Sequence, residues 1–553
     1  MIKYGGWFAV TLVTLFWVAN SAQATTACVD PSGGGDGECY GNVYSALFDL
    51  YFGDTVRVRP GVYKDTLQIP PLKTGVRIIG SAGVVFDARS DGIPGFQNPN
   101  CPNNTNGGCQ GSIHPQWTTC VPNDTQVWLD PKPCPTCPGD TIPNPNCNIP
   151  CQPNAGWPTK VCLNEDVAVH IFTSDVQLVG LTFLGGISHG VFVEPGNDNT
   201  RLVNVKVIHP NGEGVRALGS DGTTLIDVEV IGALGGVNLD GAGLVTDRLT
   251  IEGSDGPGVV LVGDNVVMSQ SKISRVVNGE GIFVTGDGTV IDGVVVEDVD
   301  STAIQVVGND AVVVRSAIES AGGGVSVVGD SPWVSWNRVS QVAGGNPGIA
   351  VTCSTCADGV VNYNRVEGTV GESAGFVIAA AGAGLLVEAN RAKNVADRGF
   401  DLSGSSGVEL LNNRSDKVGV VGEACFQIEG PNHVVTSNFA SNCAGNGFTF
   451  GLGSNVAAEY NTAILTGGDG FEVSEGSSGA SLRLNVAFWN RFYGFEVADG
   501  SPPATGTTLD WNTARANGFA DLCEEGSGTV LLSNNMFGSE EYLAQDAVRD
   551  CVQ

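Results

Sequence analysis

The sequence predicts an all-β solenoid of stacked coils, and three observations support this fold class. Four-residue anchors of one pattern recur fifteen times at spacings of 21 to 27 residues, a period typical of stacked supersecondary units. Each repeat has short β-branched or aromatic runs of alternating polarity, broken by Gly, Asn, Asp and Ser. None has the 3.6-residue apolar period of a helix, which argues against helical repeats. The anchors begin at Gly190, Gly214, Gly236, Gly258, Gly281, Ala303, Gly324, Gly348, Gly375, Gly399, Cys425, Gly447, Gly470, Gly494 and Gly518.

The anchor pattern separates core positions from surface positions. In Gly470–Val473, which reads Gly-Phe-Glu-Val, Phe471 and Val473 should point inward and Glu472 outward, because side chains alternate along a strand. From the ninth anchor onward the first inward residue is aromatic, which predicts a buried stack of rings. The predicted stack consists of Phe376, Phe400, Phe426, Phe448, Phe471, Phe495 and Phe519.

A second column consists of asparagines that recur once per repeat. Asn suits a left-handed turn residue, and its amide can bond to the Asn of the next coil. We therefore predict a structural asparagine ladder at one bend of each coil. Its members are Asn337, Asn364, Asn390, Asn413, Asn438, Asn461, Asn485, Asn512 and Asn535.

The N-terminal residues and the charge predict the compartment. Residues 1–24 combine Lys3, an apolar run from Trp7 to Ala19 and the small-residue site Ala22-Gln23-Ala24, which is typical of a secretory signal peptide. All 16 cysteines follow it, as expected in an oxidising compartment. We expect a secreted, periplasmic or cell-surface protein without a membrane span. Removing Lys3 changes the formal charge from −31 to −32, which disfavours nucleic acid as a partner.

Four segments follow the predicted signal peptide. Residues 25–91 form an N-terminal cap with the first coils, and a short amphipathic helix is predicted from Val43 to Phe52. Residues 92–163 are an insert rich in Cys, Pro and Asn whose eight cysteines allow 105 pairings, which stay open. Residues 164–540 are the coils, and 541–553 are a C-terminal tail. The other cysteines predict local disulfides that join Cys28 to Cys39, Cys353 to Cys356, Cys425 to Cys443 and Cys523 to Cys551.

The two runs that open the coils carry a family resemblance. GDTVRVRPGVYKDTLQI at Gly53–Ile69 and GVRIIGSAGVVFDA at Gly75–Ala88 resemble the start of right-handed parallel β-helix proteins of the pectin-lyase-like superfamily. The resemblance implies a right-handed single-stranded parallel β-helix, and the repeat period predicts about 17 or 18 coils. That superfamily includes polysaccharide lyases, hydrolases, esterases and epimerases, together with surface proteins, so the fold does not select an activity.

The first candidate site lies near the start of the coils. The predicted catalytic residues are His189, His209, Glu213 and Arg216, with Lys206 alongside as a substrate-binding residue. A histidine can remove a proton next to a carboxylate while an arginine neutralises that carboxylate, as lyases and epimerases of uronic acids require. We assign His209 as the base and Arg216 as the neutralising group. Two ordinary surface histidines in turns are the competing interpretation.

The second candidate site lies near the end of the coils. Glu472 and Glu496 should lie one coil apart, close enough for one pKa to rise, as in a pair of glycosidase carboxylates. Asp401 and Tyr493 are the other predicted substrate-binding residues, and Asp469 adjoins them. Duplication of a repeat would also produce such a glutamate pair.

A column of aspartates predicts a calcium site, and calcium is the one cofactor that the sequence suggests. Asp264, Asp287, Asp310 and Asp330 lie in the turn after the anchor strand, and stacked carboxylates favour a bound cation such as calcium. Ordinary turn chemistry is the competing interpretation.

From these features we expect a monomeric protein that recognises an acidic extracellular polysaccharide. The associated chemistry would be cleavage by a lyase reaction, or epimerisation. The alternative is a non-catalytic surface or adhesion protein that binds glycans or another surface.

Overall fold

The computed structural model describes residues 25–32, 39–64, 66–88, 167–186, 188–419, 422–453, 455–498, 500–532 and 534–538. The predicted signal peptide, the cysteine-rich insert and the C-terminal tail lie outside the described residues. Within them the chain is a parallel β-solenoid of about 17 coils with almost no helix, as the sequence predicts.

Each regular coil contributes three strands, which we call strands A, B and C in chain order. Strands A form one sheet of 19 strands, while strands B and C lie in a second sheet of 33 strands. Strands A are Thr26–Val29, Thr55–Val58, Arg77–Gly80, Gln177–Val179, Arg201–Val203, Thr224–Ile226, Val245–Asp247, Val267–Ser269, Val290–Asp292, Val312–Val314, Trp333–Ser335, Val360–Asn362, Leu386–Glu388, Glu409–Leu411, Val434–Thr436, Ala457–Glu459, Ser481–Arg483, Thr508–Asp510 and Val530–Leu531.

Strands B and C form the face that carries the anchors. Strands B are Gly61–Tyr63, Val84–Asp87, Thr182–Leu184, Lys206–Ile208, Glu229–Ala233, Thr250–Ser254, Lys272–Val276, Arg338–Val342, Arg365–Glu367, Arg391–Val395, Arg414–Val418, Phe439–Ser441, Thr462–Ile464, Val486–Phe488, Thr513–Arg515 and Met536–Phe537. Strands C are Leu67–Ile69, Val167–Ile171, His189–Val193, Glu213–Ala217, Gly235–Asp240, Val259–Val262, Ile282–Thr285, Ile349–Cys353, Phe376–Ala380, Phe400–Asp401, Phe426–Ile428, Phe448–Phe450, Phe471–Val473, Tyr493–Val497 and Ala520–Glu524. Two longer strands, Val295–Val307 and Ala317–Val328, span the B and C positions of their coils.

Single residues in the left-handed conformation turn the chain at two corners of the coil. We call the left-handed residue between strands A and B the first corner, and the left-handed residue near or just after the end of strand B the second corner. First-corner residues include Asn204, Arg315, Trp336, Tyr363, Ala389, Asn412, Tyr460, Leu484 and Trp511, and second-corner residues include His209, Gly232, Arg275, Asn394, Asn442 and Trp489. One residue with positive φ redirects the backbone without the length of a loop, which keeps the coils short.

The predicted stack of phenylalanines fills the core of the later coils. Phe376, Phe400, Phe426, Phe448, Phe471 and Phe495 are fully buried, and successive ring centroids lie 4.6 to 4.9 Å apart. The prediction was wrong for Phe519, which is 54% exposed. In that coil Leu522 pairs with Phe495, so Leu522 takes the inward place and Phe519 precedes the strand.

The asparagine ladder is also present, with one correction. In Asn390 the side-chain oxygen accepts the backbone N–H of Asn364 at 3.0 Å, and the amide nitrogen donates to Asn413 at 3.0 Å. The same pattern links the column from Asn337 to Asn535. From Asn337 to Asn512, the left-handed residue is the one before each ladder asparagine, such as Ala389 before Asn390. The ladder side chain can therefore point inward while the corner side chain points outward.

A short helix and three local disulfides complete the described fold. The helix is Val43–Asp49, shorter than predicted, and Asn42 caps it by accepting the Ser45 N–H at 2.7 Å. Cys28–Cys39, Cys353–Cys356 and Cys425–Cys443 are disulfides, as predicted. Cys523 is also disulfide-bonded, whereas Cys551 lies outside the described residues. None of the described helices has the length and apolar character needed to cross a membrane.

Candidate functional site

The outward side chains of strands C form one continuous row along the solenoid, because the strands pair in register. Arg216 lies between Phe192 and Asn238, and further along Glu472 lies between Thr449 and Glu496. The last member is Cys523, which pairs with Glu496 and is buried. The anchor pattern that begins at Gly518 would put Ala520 in this place, but the strand positions lie three residues further along the chain.

Near the N-terminal end of this row, Glu213 connects three side chains. Its carboxylate lies 3.3 Å from His189 Nδ1 and accepts hydrogen bonds from Arg216 at 3.0 Å and Asn238 at 2.7 Å. The backbone N–H of Glu213 also donates to His189 Nδ1 at 3.3 Å. The structure therefore brings together three of the four predicted catalytic residues, His189, Glu213 and Arg216.

A second histidine and glutamate repeat this arrangement one coil earlier. His170 Nε2 lies 2.7 Å from Glu194 Oε1, and the His170 side chain is only 2% exposed. The rings of His170 and His189 both contact Phe192, at 5.1 and 5.6 Å between centroids. Sequence reasoning missed His170 and Glu194. The signal was present, because each glutamate follows its histidine by 24 residues, which is one coil.

The other two predicted residues lie apart from this group. His209 is an exposed second-corner residue whose ring lies over Gly232 of the next coil. Lys206 lies on a strand B and pairs with Glu229 at 2.9 Å. Among the described residues, no hydrogen bond or ion pair joins either side chain to Glu213. The catalytic role of His209 and the binding role of Lys206 stay predictions.

The electrostatics of the histidines favour their neutral forms. Burial lowers the pKa of His189, with Glu213 opposing the shift and Arg216 adding to it. Burial also lowers the pKa of His170, against the effect of Glu194. A positive charge that His189 gained would lie beside the Glu213 carboxylate, which would stabilise it. This arrangement can therefore accept a proton at neutral pH.

At the other end of the row, three carboxylates lie on neighbouring coils. Glu472 and Glu496 are direct partners on adjacent strands C, and Asp469 precedes the strand of Glu472 and hydrogen-bonds to Glu496. Thr449 and Ser474 donate to Glu472 at 3.3 and 2.7 Å, and Asn446 also donates to it. These bonds fix the orientation of the Glu472 carboxylate.

Burial and neighbouring carboxylates raise the pKa of Asp469 and of Glu496. Burial is the largest cause for Glu496, followed by the charge of Asp469, and together they raise the pKa of Glu496 to about 8. Burial also raises the pKa of Asp469, which is 5% exposed. A pKa raised in this way favours the protonated carboxyl group near neutral pH, which is the form that a general acid needs.

The remaining predicted substrate-binding residues have structural contacts. Asp401 lies three coils before Glu472, and Arg398 donates to it at 2.8 Å while also bonding to Glu423. The Tyr493 ring is 7% exposed, and its backbone N–H donates to Asp469 at 2.7 Å. Tyr493 thus orients Asp469 from within the wall of the site.

The aspartate column lies in the turn between strands C and A. Asp264 accepts the backbone N–H of Asp287 at 2.9 Å, and Asp287 accepts that of Asn309 at 2.7 Å. Asp330 accepts hydrogen bonds from the backbone N–H groups of Ser354 and Thr355. Asp310 has a positive φ and lies one residue after the column position, which Asn309 occupies. In the part of the chain that the structure describes, no group of three His, Cys, Asp or Glu side chains is placed to hold a metal ion. The geometry shows backbone capping, and calcium binding stays a prediction.

Comparisons with known proteins concern the fold. No curated protein matches the chain in sequence. Among solved structures, the A-module of a mannuronan C-5 epimerase of Azotobacter vinelandii is 14% identical, with a TM-score of 0.37 over 66% of this chain and 86% of that chain. An alginate lyase in complex with a trisaccharide is 12% identical, with a TM-score of 0.29 over 68% and 83% of the two chains.

A tailspike protein of the E. coli bacteriophage HK620 is 10% identical, with a TM-score of 0.36 over 67% of this chain and 69% of that chain. The family model for a right-handed β-helix region matches residues 280–422 and 421–537. The family match over these residues and the stacked parallel strands show that the chain has a right-handed parallel β-helix fold, as its sequence predicts.

Proposed function

We propose that this protein acts on an extracellular polysaccharide and cleaves it at the carboxylate cluster of Asp469, Glu472 and Glu496. One observation carries the proposal. Glu496 lies in the outward row directly opposite a second glutamate, where burial and the charge of Asp469 raise its pKa. A protonated carboxylic acid beside an oriented carboxylate is the pair that glycoside hydrolysis requires.

The strand register supports a retaining mechanism. Adjacent parallel strands lie about 4.8 Å apart, close to the separation of about 5 to 5.5 Å between the carboxyl groups of retaining glycosidases. Glu496 would donate its proton to the glycosidic oxygen while Glu472 attacks the anomeric carbon, which breaks the glycosidic bond. Water then attacks the glycosyl-enzyme and gives its proton to Glu496, which releases Glu472 and restores both groups.

Charge favours a neutral sugar at this cluster. Three carboxylates lie within two neighbouring coils, and a uronate would add further negative charge. Recognition of an acidic polysaccharide, which the sequence suggested, needs free cationic groups. Arg216 is paired with Glu213 and Lys206 with Glu229. An acidic substrate would therefore have to compete for these cations at the N-terminal end of the row.

A second candidate function is supported by the histidine cluster. His189 has a lowered pKa and a carboxylate beside Nδ1, so it can accept a proton next to a uronate carboxylate. This arrangement would support lyase or epimerase chemistry on an acidic polysaccharide, with His189 rather than His209 as the base. The two candidates differ in substrate charge and in product.

One experiment separates these functions. The purified protein is incubated with neutral and uronate polysaccharides, and reducing ends and unsaturated products are measured. We expect new reducing ends from a neutral polysaccharide, and their loss in Glu496→Gln. Glu475→Gln, which alters an exposed carboxylate outside the row, is the matched control.

Unsaturated products from a uronate polysaccharide, lost in His189→Gln, would instead support the second candidate. Binding of a polysaccharide without any turnover would support the non-catalytic adhesion alternative and overturn both catalytic proposals. Equal activity in Glu496→Gln and in the parent protein would overturn the assigned proton donor.

A further inference from the structure

Two exposed aromatic side chains form a stack on the outside of the solenoid, at the first corner. The rings of Trp336 and Tyr363 lie on consecutive coils with centroids 4.5 Å apart and planes 12° from parallel. Trp336 is 62% exposed and Tyr363 is 45% exposed. Unlike the buried phenylalanine stack, this pair leaves large apolar surfaces in water.

The backbone at these positions does not favour aromatic residues. Trp336 and Tyr363 have φ values of 60° and 55°, in the left-handed region that bulky side chains rarely adopt. Two coils after Tyr363 the same corner is occupied by Asn412, and asparagine is a residue type that this conformation prefers. The two rings therefore gain neither favourable backbone geometry nor burial, and the fold does not account for them.

The next coil leaves a gap in this column of rings. Ala389 occupies the first corner after Tyr363, and its backbone N–H bonds to Leu411, which places Asn412 at the corner beyond. Coils repeat about every 4.8 Å, so the space over the Ala389 methyl group is about one ring thick. Its walls are the free face of Tyr363 and the exposed Asn412, and Glu388 adjoins Ala389 on strand A.

We propose that Trp336, Tyr363 and the gap over Ala389 form a binding slot for one pyranose ring of a neutral polysaccharide. The apolar C–H face of the sugar would stack on Tyr363, while Asn412 and Glu388 offer hydrogen-bonding groups to its hydroxyls. Glu388 and the acidic chain disfavour an anionic sugar. The slot would continue the stack of Trp336 and Tyr363 by one ring.

This slot is separate from the carboxylate cluster. Tyr363 and the coil of Glu496 are five coils apart, about 24 Å along the solenoid at ~4.8 Å per coil, and the slot lies at a different corner of the coil. It would hold a polysaccharide chain without taking part in its cleavage. The choice of a sugar as ligand rests on the proposed function, whereas the geometry of the slot does not.

The test measures binding of neutral oligosaccharides, including β-linked glucan and mannan hexamers, by isothermal titration calorimetry. Glu496→Gln serves as the parent so that no ligand is consumed. We expect Tyr363→Asn and Trp336→Asn to weaken binding at least tenfold. Their unfolding temperatures should not fall, because Asn suits the left-handed corner. Tyr460→Asn, at an exposed first corner with no stacked ring among the described residues, is the matched control and should bind like the parent.

A second test adds a ring to the slot instead of removing one. Ala389→Trp adds a ring where the sugar would stack, so we expect binding to be lost while Trp336 and Tyr363 remain in place. Failure of the parent to bind any neutral oligosaccharide, or unchanged binding in both Tyr363→Asn and Ala389→Trp, would overturn the slot. Binding at the slot without any cleavage by the wild-type protein would overturn only the proposed function.

Discussion

Glu472 and Glu496 lie directly opposite each other on adjacent parallel strands, and both belong to the outward row of strands C. The first is fixed by hydrogen bonds from Thr449 and Ser474, while the second is held near Asp469 and has a pKa raised to about 8. Two copies of one repeat position therefore have different chemistry, because their surroundings differ.

The raised pKa of Glu496 predicts how stability depends on pH. The ordinary value is 4.5 and the folded value is about 8. Between these values the folded protein holds a proton that the unfolded chain has released, so the free energy of unfolding falls as pH rises. We therefore expect the free energy of unfolding of Glu496→Gln, relative to that of the parent, to be higher at pH 9 than at pH 5. Urea denaturation at the two pH values measures this difference. Cleavage should also decline as pH rises through about 8. A difference between the two proteins that does not change with pH would contradict the assignment.

The lowered pKa of His189 can be measured directly. We expect its ring to titrate below 6.5 by NMR, because burial disfavours the charged form. Glu213→Gln should lower the pKa further, since the Glu213 carboxylate opposes the shift. Glu229→Gln, which removes the partner of Lys206 on a neighbouring strand, is the control and should leave the titration unchanged. An unchanged or higher His189 pKa in Glu213→Gln would contradict the pairing.

The asparagine ladder predicts that two adjacent asparagines differ in their contribution to stability. Asn413→Ala removes hydrogen bonds to Asn390 and Asn438 inside the coil and leaves buried groups unpaired, at a cost of about 3 kcal/mol. Asn412→Ala changes an exposed left-handed residue and should cost about 1 kcal/mol. Chemical denaturation of both variants tests the difference, and equal losses would contradict the inward orientation of Asn413.

The aspartate column provides a test of calcium binding. In calcium-free buffer we expect Asp287→Asn to unfold at the parent temperature, because an amide oxygen can accept the N–H of Asn309. Asn309 itself accepts the Asp330 N–H in this column. If the column also binds calcium, the ion should raise the unfolding temperature of the parent more than that of the variant. An unfolding temperature of the parent that does not respond to calcium or to a chelator would contradict the calcium prediction.

Much of the fold could be predicted because it depends on local alternation. Phe471 and Val473 are inward and Glu472 is outward for the same reason in every coil. Local disulfides such as Cys425–Cys443 could be predicted as well, because their cysteines lie on neighbouring coils. The pattern was wrong at Phe519, where the anchor motif occurs three residues before the true strand position.

The candidate sites depended on contacts that no local pattern reveals. The repeat placed Glu496 one coil from Glu472, but only the structure shows Asp469 beside it and its burial. Likewise, the sequence grouped His209 with His189, and the structure instead pairs His189 with Glu213 and reveals His170 with Glu194.

The sequence by itself determined that the chain is a β-solenoid, which side chains fill its core and which face outward. Inward and outward positions follow from alternation within a few residues, and the period follows from the repeat. The tertiary structure decided which outward residues meet, because contacts between coils depend on the register of strands about 24 residues apart. It also decided which carboxyl groups have a raised pKa, since burial and neighbouring charge set that pKa, and neither is a property of a single repeat.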